Sequence, residues 1–142
     1  MTMSYQYEEL GGDVSFIARG KDLSELFYQA AIAMYNIMVD VEKVDKVEEI
    51  SLEIRASDLS LLLHDWLDEL LFITDTKRLV FSDFSVNIIK EDSQYLLKGK
   101  AFGERLDLSK HNPKTEIKAI TYHSLKVQRS EGFWEGTVVL DL

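Results

Sequence analysis

Two stretches of this chain repeat apolar residues at three- and four-residue steps. That limits it to folds in which two amphipathic helices share a core. In the first stretch, Leu23, Leu26, Phe27, Ala30, Ala31, Met34 and Met38 fall on one face of a helix over about 22–38. Asp22 is placed to cap its first turn, and Glu25 to reach back to the cap's own N–H. In the second, Leu59, Leu62, Leu63, Trp66, Leu67, Leu70 and Leu71 predict a helix over about 58–73, with Ser57 as its cap. The opposite face carries Asp58, Asp65, Asp68 and Glu69, which read as solvated surface. Asp75 lies just past that helix, placed to close it or to start a turn.

The remaining segments alternate with period two. Val14, Phe16 and Ala18 alternate with Ser15, Ile17 and Arg19; Ile50, Leu52 and Ile54 with Ser51, Glu53 and Arg55; Phe84, Val86 and Ile88 with Ser85 and Asn87. Glu91-Asp92-Ser93 turns the chain into Tyr95–Phe102, a hairpin. Thr121–Val127 and Trp134–Leu140 are β-rich and flank a turn at Glu131-Gly132. Pro113, the single proline, sits in a polar loop. The order predicts an α+β fold: a single domain over 1–142, with both helices packed on one face of a mixed, largely antiparallel β-sheet.

Charge and composition narrow the function. Sixteen Lys and Arg stand against 25 Asp and Glu, a net charge of −9. Such a chain is poorly suited to gripping nucleic acid by bulk charge, because phosphate binding needs a basic surface. With no cysteine, thiolate metal sites and cysteine nucleophiles are excluded. The start, Met1-Thr2-Met3-Ser4-Tyr5-Gln6, lacks the basic and apolar blocks of a signal peptide, and no apolar run is long enough to span a membrane. The expectation is a soluble, cytoplasmic domain.

No motif announces catalysis. His64, His111 and His123 share no metal-ligand spacing, and no serine stands in a Gly-x-Ser-x-Gly elbow. Gly11-Gly12-Asp13 precedes a strand rather than a helix, which is the wrong order for a phosphate cradle and the right one for a turn. No catalytic residue is assigned. Glu42, Asp45, Glu48 and Glu49 interleave with Lys43 and Lys46 as a solvated connection.

Two features stay open on the residues alone. Asp141 directly follows the apolar run Val138-Val139-Leu140, and Leu142 adds a main-chain carboxylate beside it. If the strand is ordered to its end, these two groups repel unless a cation lies between them. A third oxygen donor would then make a site for a hard divalent ion. The competing reading is a frayed polar tail. Lys110, Lys114, Lys118, Lys126 and Arg129, with His111, His123, Tyr122 and Trp134, form either a charged strand face or a local contact surface for RNA or an acidic partner.

One block carries a resemblance. Gly103-Glu104-Arg105-Leu106-Asp107 leads through His111-Asn112-Pro113-Lys114 to Glu116-Ile117-Lys118-Ala119-Ile120-Thr121-Tyr122-His123. It resembles the signature of the archease family, GE-x-x-D, then H-x-P-K-x-E, then KA, a hydrophobic residue and TYH. Leu23–Phe27 with Ala30-Ala31, the stretch Leu62–Phe84 and the closing Asp-Leu are similar to the family too, so the likeness covers nearly the whole chain.

The resemblance implies a protein cofactor rather than an enzyme. Its partner would be the RtcB-type RNA ligase, which joins a 2′,3′-cyclic phosphate or 3′-phosphate end to a 5′-hydroxyl, mainly in tRNA splicing. The cofactor promotes guanylylation of the ligase's histidine and supports multiple turnover. It meets tRNA only through the ligase and involves neither DNA nor a membrane. The alternative is a general chaperone-like or RNA-associated adaptor. The family also implies a divalent ion, Ca²⁺ foremost, with Mg²⁺ or Mn²⁺ as other candidates. By position its ligands fall on Asp13, Asp141 and Leu142. The family's Asp-or-Glu-His-Thr-Ala-Asp motif stands here as Glu9-Leu10-Gly11-Gly12-Asp13.

Overall fold

In the computed structural model, residues 4–142 are described; Met1–Met3 and the side chain of Leu10 lie outside the description. The two helices are α1, Leu23–Met38, and α2, Leu59–Lys77. Among the described residues, eight strands and a 3-10 turn at Val41–Lys43 complete the order: β1 Tyr5–Leu10, β2 Asp13–Gly20, β3 Glu48–Ala56, β4 Leu79–Glu91, β5 Gln94–Arg105, β6 Ala119–Ile120, β7 Lys126–Ser130 and β8 Phe133–Asp141. The α+β class and the helix pair agree with the periodicity.

The strands divide into two antiparallel sheets. One has five strands in the order β1-β2-β8-β6, with β7 also beside β8; the other has three, in the order β3-β5-β4. Each helix packs against strands of both sheets, α1 on β2, β8 and β4, and α2 on β3, β5, β6 and β7. The apolar stripe of each helix is thereby buried against both sheets.

Hydrogen bonds seat the core. Trp66, fully buried, donates its indole N–H to the Phe27 carbonyl of α1 at 3.1 Å. The buried Tyr35 hydroxyl donates to the Leu70 carbonyl at 3.0 Å and lies 2.7 Å from the Thr74 hydroxyl, tying α1 to α2. Tyr35, Phe81, Phe84 and Trp66 meet mostly edge to face around this join. Gly103 is required where β5 passes β4: a Cβ there would lie 1.8 Å from the Val80 carbonyl oxygen, next to the register shift at Phe81/Asp83.

Helix ends differ in detail from the pattern reading. Asp22 does cap α1, accepting from Glu25 N–H at 2.8 Å, but the Glu25 carboxylate reaches Lys21 N–H, one residue earlier than the cap. On α2 the cap is Asp58, not Ser57: its carboxylate accepts from Leu61 N–H at 2.8 Å, where the negative charge also faces the helix dipole. Asp75 lies inside α2, which continues until Arg78 turns left-handed at φ 56° and donates its N–H to Thr74 O.

One strand goes unread in the sequence and one strand expectation changes. β1 escapes the period-two reading, because Tyr5, Tyr7 and the acidic residues between and after them show no clean apolar face. The expected strand over Thr121–Val127 is instead broken: β6 ends at Ile120 and β7 starts at Lys126. Both pair with β8, which has only Val138 and Val139 between the two pairing stretches, so residues 121–125 bulge out. Ser124, at φ 53°, completes that excursion.

Candidate functional site

Asp13 opens β2 and Asp141 closes β8, and the two are register partners across the antiparallel pair. The Leu10–Asp13 turn sets this up, with Gly11 at φ +67° in the first central position, which a side chain would strain. Leu142 N–H donates to Gly12 O at 3.4 Å, so the closing residue is drawn onto the same turn. By ladder alternation Asp13 and Asp141 form a non-hydrogen-bonded pair, the type whose side chains approach most closely, with Cβ atoms about 5 Å apart.

A third strand abuts the pair. Ala119 is the partner of Asp141 on its other side, and Lys118 N–H donates to the Asp141 carbonyl at 2.8 Å. Asp13, Asp141 and Leu142 are all half-buried. Neither Asp13 nor Asp141 forms an ion pair among the described residues. The tail is therefore held in the sheet, with the two aspartates opposite each other in register. No group of three His, Cys, Asp or Glu that could hold a metal gathers among the described residues; besides the two aspartates, this end offers main-chain oxygens as donors. That donor set, all hard oxygen, suits Ca²⁺, Mg²⁺ or Mn²⁺ rather than a soft metal.

The signature block folds into a clamp. Glu104, at the end of β5, accepts from Asp45 N–H at 2.7 Å, Lys110 Nζ at 2.7 Å and His111 Nε2 at 2.9 Å. Those bonds, the Asp45 amide first, hold its carboxyl down at a pKa of about 2. His111 is wholly buried. Its Nδ1 accepts from Asp107 N–H at 2.9 Å, which leaves Nε2 to carry the proton donated to Glu104. Asp107 itself accepts from the hydroxyl and the N–H of Ser109, and these bonds lower its pKa.

The same loop closes the C-terminal end of α1. Lys114 N–H donates to Met38 O at 2.8 Å, Thr115 N–H to Ile37 O at 3.2 Å, and Lys114 Nζ to Asn36 O at 3.0 Å. Three orphan carbonyls are thus satisfied, and the ammonium faces the negative helix end. Asp40 accepts from Lys114 and Asn112, which pulls its pKa down.

This clamp takes apart the basic contact surface that the sequence left open beside a plain charged strand face. Lys110 is committed to Asp45 and Glu104, and Lys114 to Asp40 and Asn36. Arg129 lies over the Trp134 ring at 5.6 Å. Lys118, Lys126 and His123 remain exposed and without ion pairs among the described residues. The charged residues over 42–49 are exposed, as the solvated-connection reading expects, and two of them pair outward, Lys46 with Asp83 at 3.0 Å and Asp45 with Lys110 at 2.7 Å.

His64 is also spoken for. It is buried, with Nε2 3.0 Å from Ile120 O and Nδ1 2.9 Å from Asp65 Oδ1. The Tyr122 ring stacks on it at 4.1 Å and 17°. This pins the 121–125 bulge to α2 while leaving Tyr122 65 % exposed. Sequence reading missed the stack, because residues so far apart in the chain carry no mutual periodicity. Among the described residues no hydroxyl bonds a histidine ring, and no helix is long and apolar enough to cross a membrane.

Comparison with known proteins fits this arrangement. Residues 5–142 match the model of the Archease protein family (MTH1598/TM1083). The chain is 41 % identical over 139 residues to protein archease of Pyrococcus furiosus, covering 97 % of this chain and 98 % of that one. It is 40 % identical over 138 residues to protein archease of Methanothermobacter thermautotrophicus, with the same coverage. A solution structure of a Methanobacterium thermoautotrophicum protein superposes with a TM-score of 0.88 at 40 % identity, over 98 % of this chain and 99 % of that one. A Thermotoga maritima crystal structure, described as an archease and possible chaperone, shares the fold at a TM-score of 0.60 and 20 % identity, over 95 % and 94 % of the chains.

Proposed function

The chain belongs to the archease family, and from that premise we propose that it is a non-catalytic activator of an RtcB-type RNA ligase. In this reading it works in the cytoplasm, in tRNA splicing and RNA repair. It promotes guanylylation of the ligase's histidine and repeated turnover, and meets tRNA only through the ligase.

The observation that carries the reading is the direct opposition of Asp13 and Asp141 at one end of the five-stranded sheet, unneutralised and joined by Leu142. Like charges directly opposed in a ladder destabilise it, and a bound cation would relieve that opposition. The side chains of Asp13 and Asp141 and the carboxylate of Leu142 would hold a divalent ion, Ca²⁺ foremost, with Mg²⁺ or Mn²⁺ also matching hard oxygen donors. Bound there, the ion supplies concentrated positive charge at an otherwise acidic edge. The sheet register holds the two aspartates in place, and the Gly11-Gly12 turn keeps the approach open: a Cβ at either glycine would meet nothing within 4 Å. This end then docks at the ligase's active site and biases the ligase toward its guanylylation-competent state, the differential binding that a population shift requires.

The test is ligase guanylylation with GTP and Mn²⁺ under multiple turnover, with and without this protein. Stimulation that disappears in Asp13→Ala and Asp141→Ala, with the fold retained, supports the proposal. Undiminished stimulation by both variants sinks the metal part. An adaptor role, chaperone-like or RNA-associated, draws on Lys118 and Lys126, the basic residues left outside the clamp. Charge reversal there should weaken RNA or partner binding and leave metal affinity unchanged.

A further inference from the structure

The outward face of α2 joins acidity to exposed aromatic surface. At 100° per residue, His64, Asp75, Asp68, Phe72, Asp65 and Glu69 follow one another around about 140° of the helix. His64 marks one border, where Tyr122 stacks on it. Phe72 stands in the middle, 59 % exposed, and Tyr122 is 65 % exposed, so two large rings flank the carboxylates. Between Asp58 and Lys77 the helix carries no Lys or Arg. Asp68, Glu69 and Asp75 form no ion pair among the described residues. An exposed Phe on a helix whose other apolar residues are buried or half-buried is a surface that association covers.

Charge decides what covers it. A phosphate backbone or an anionic membrane is repelled by this face. A second copy, docking isologously, would set the same carboxylates against each other. A basic protein surface satisfies both the carboxylates and the rings, since guanidinium groups stack on aromatic faces and bond carboxylates. An enzyme that holds RNA carries such a surface around its RNA path. Resting on the ligase reading above, we propose that the Asp68–Phe72–Tyr122 face of α2 docks on the Arg- and Lys-rich RNA-binding surface of the ligase. Phe72 is its apolar anchor, and the carboxylates set the orientation.

The experiment measures affinity of the purified protein for the purified RtcB-type ligase, in the absence of RNA, at rising salt. The expected result is wild-type binding that weakens at least tenfold between 50 and 500 mM KCl. Phe72→Ser and the double variant Asp68→Lys/Glu69→Lys each weaken it at least tenfold, with unchanged melting curves. Wild-type binding that both variants match overturns the docking face and leaves the ligase reading standing. Absence of wild-type binding overturns the ligase reading. The face is then judged by a second measurement, amide chemical shifts during titration with a deca-arginine peptide. Shifts concentrated on 61–76 and Tyr122 support a basic partner; equal shifts across Glu8, Glu9 and 42–49 overturn it.

Discussion

His111 and Glu104 meet at 2.9 Å, Nε2 to Oε2, with the imidazole wholly enclosed and its other nitrogen taken by the Asp107 amide. Seven residues apart in sequence, they close the loop that caps α1 and abuts the connection into β3. The most recognisable block of the chain is in this respect a structural latch. Its Lys110, His111 and Lys114 are consumed in holding a polar loop against the core, where unpaired backbone groups would be costly.

Acid should release the latch. Glu104 has its pKa lowered from an ordinary 4.5 to about 2, so its contribution is fully present above about 4.5 and lost as pH falls through about 2. Asp40 and Asp107 shift in the same direction. Thermal melts between pH 7 and pH 2 should hold level and then fall below about pH 4.5. Glu104→Gln should flatten that fall while lowering stability at neutral pH.

Removing the imidazole should be costly at any pH. His111→Ala leaves a void and deprives the Asp107 amide and Glu104 of partners, for about 2–4 kcal/mol. At about 3 °C per kcal/mol for a domain of this size, Tm should drop by about 6–12 °C in calorimetry.

The Asp13–Asp141 pair makes a signed prediction. Without divalent ions, Asp13→Asn removes a like-charge opposition and should stabilise by about 0.2–1 kcal/mol, a rise in Tm of up to about 3 °C. Added Ca²⁺ should raise the Tm of the wild type and not that of the variant. Equal Ca²⁺ responses would remove Asp13 from the site.

Gly103 tolerates no side chain. A Cβ would meet Val80 O at 1.8 Å and Phe81 Cα at 2.8 Å, both main chain. Gly103→Ala should destabilise by about 1–3 kcal/mol or more, through forced separation of β4 and β5, read as a lower denaturant midpoint.

The helices were legible because their apolar residues recur within a few positions, and Asp22 was legible as a cap for the same local reason. β1 was not, since its tyrosines pack sideways: the Tyr7 hydroxyl donates to Ala33 O at 2.6 Å, a contact no strand pattern encodes. The break at 121–125 was hidden because Thr121 and Tyr122 suit a strand; the short stretch of β8 opposite and the His64 stack overrule them. At the metal-candidate end, the resemblance pointed to Asp13 with Asp141, and the register of β2 with β8 sets them opposite each other.

What the sequence by itself determined is therefore short-range: two helical stripes, the hairpins and an acidic surface. These follow from spacing within one or two turns of chain, where backbone geometry alone puts side chains on a face. What only the tertiary structure decided is which distant segments share an edge. The strands form two sheets rather than one, Lys110 and Lys114 turn inward to Glu104 and α1, and Asp13 faces Asp141. Those outcomes depend on the one register that buries Phe16, Val138 and Leu140 together, and a non-local register is set by the packing of the whole core, not by any stretch of it.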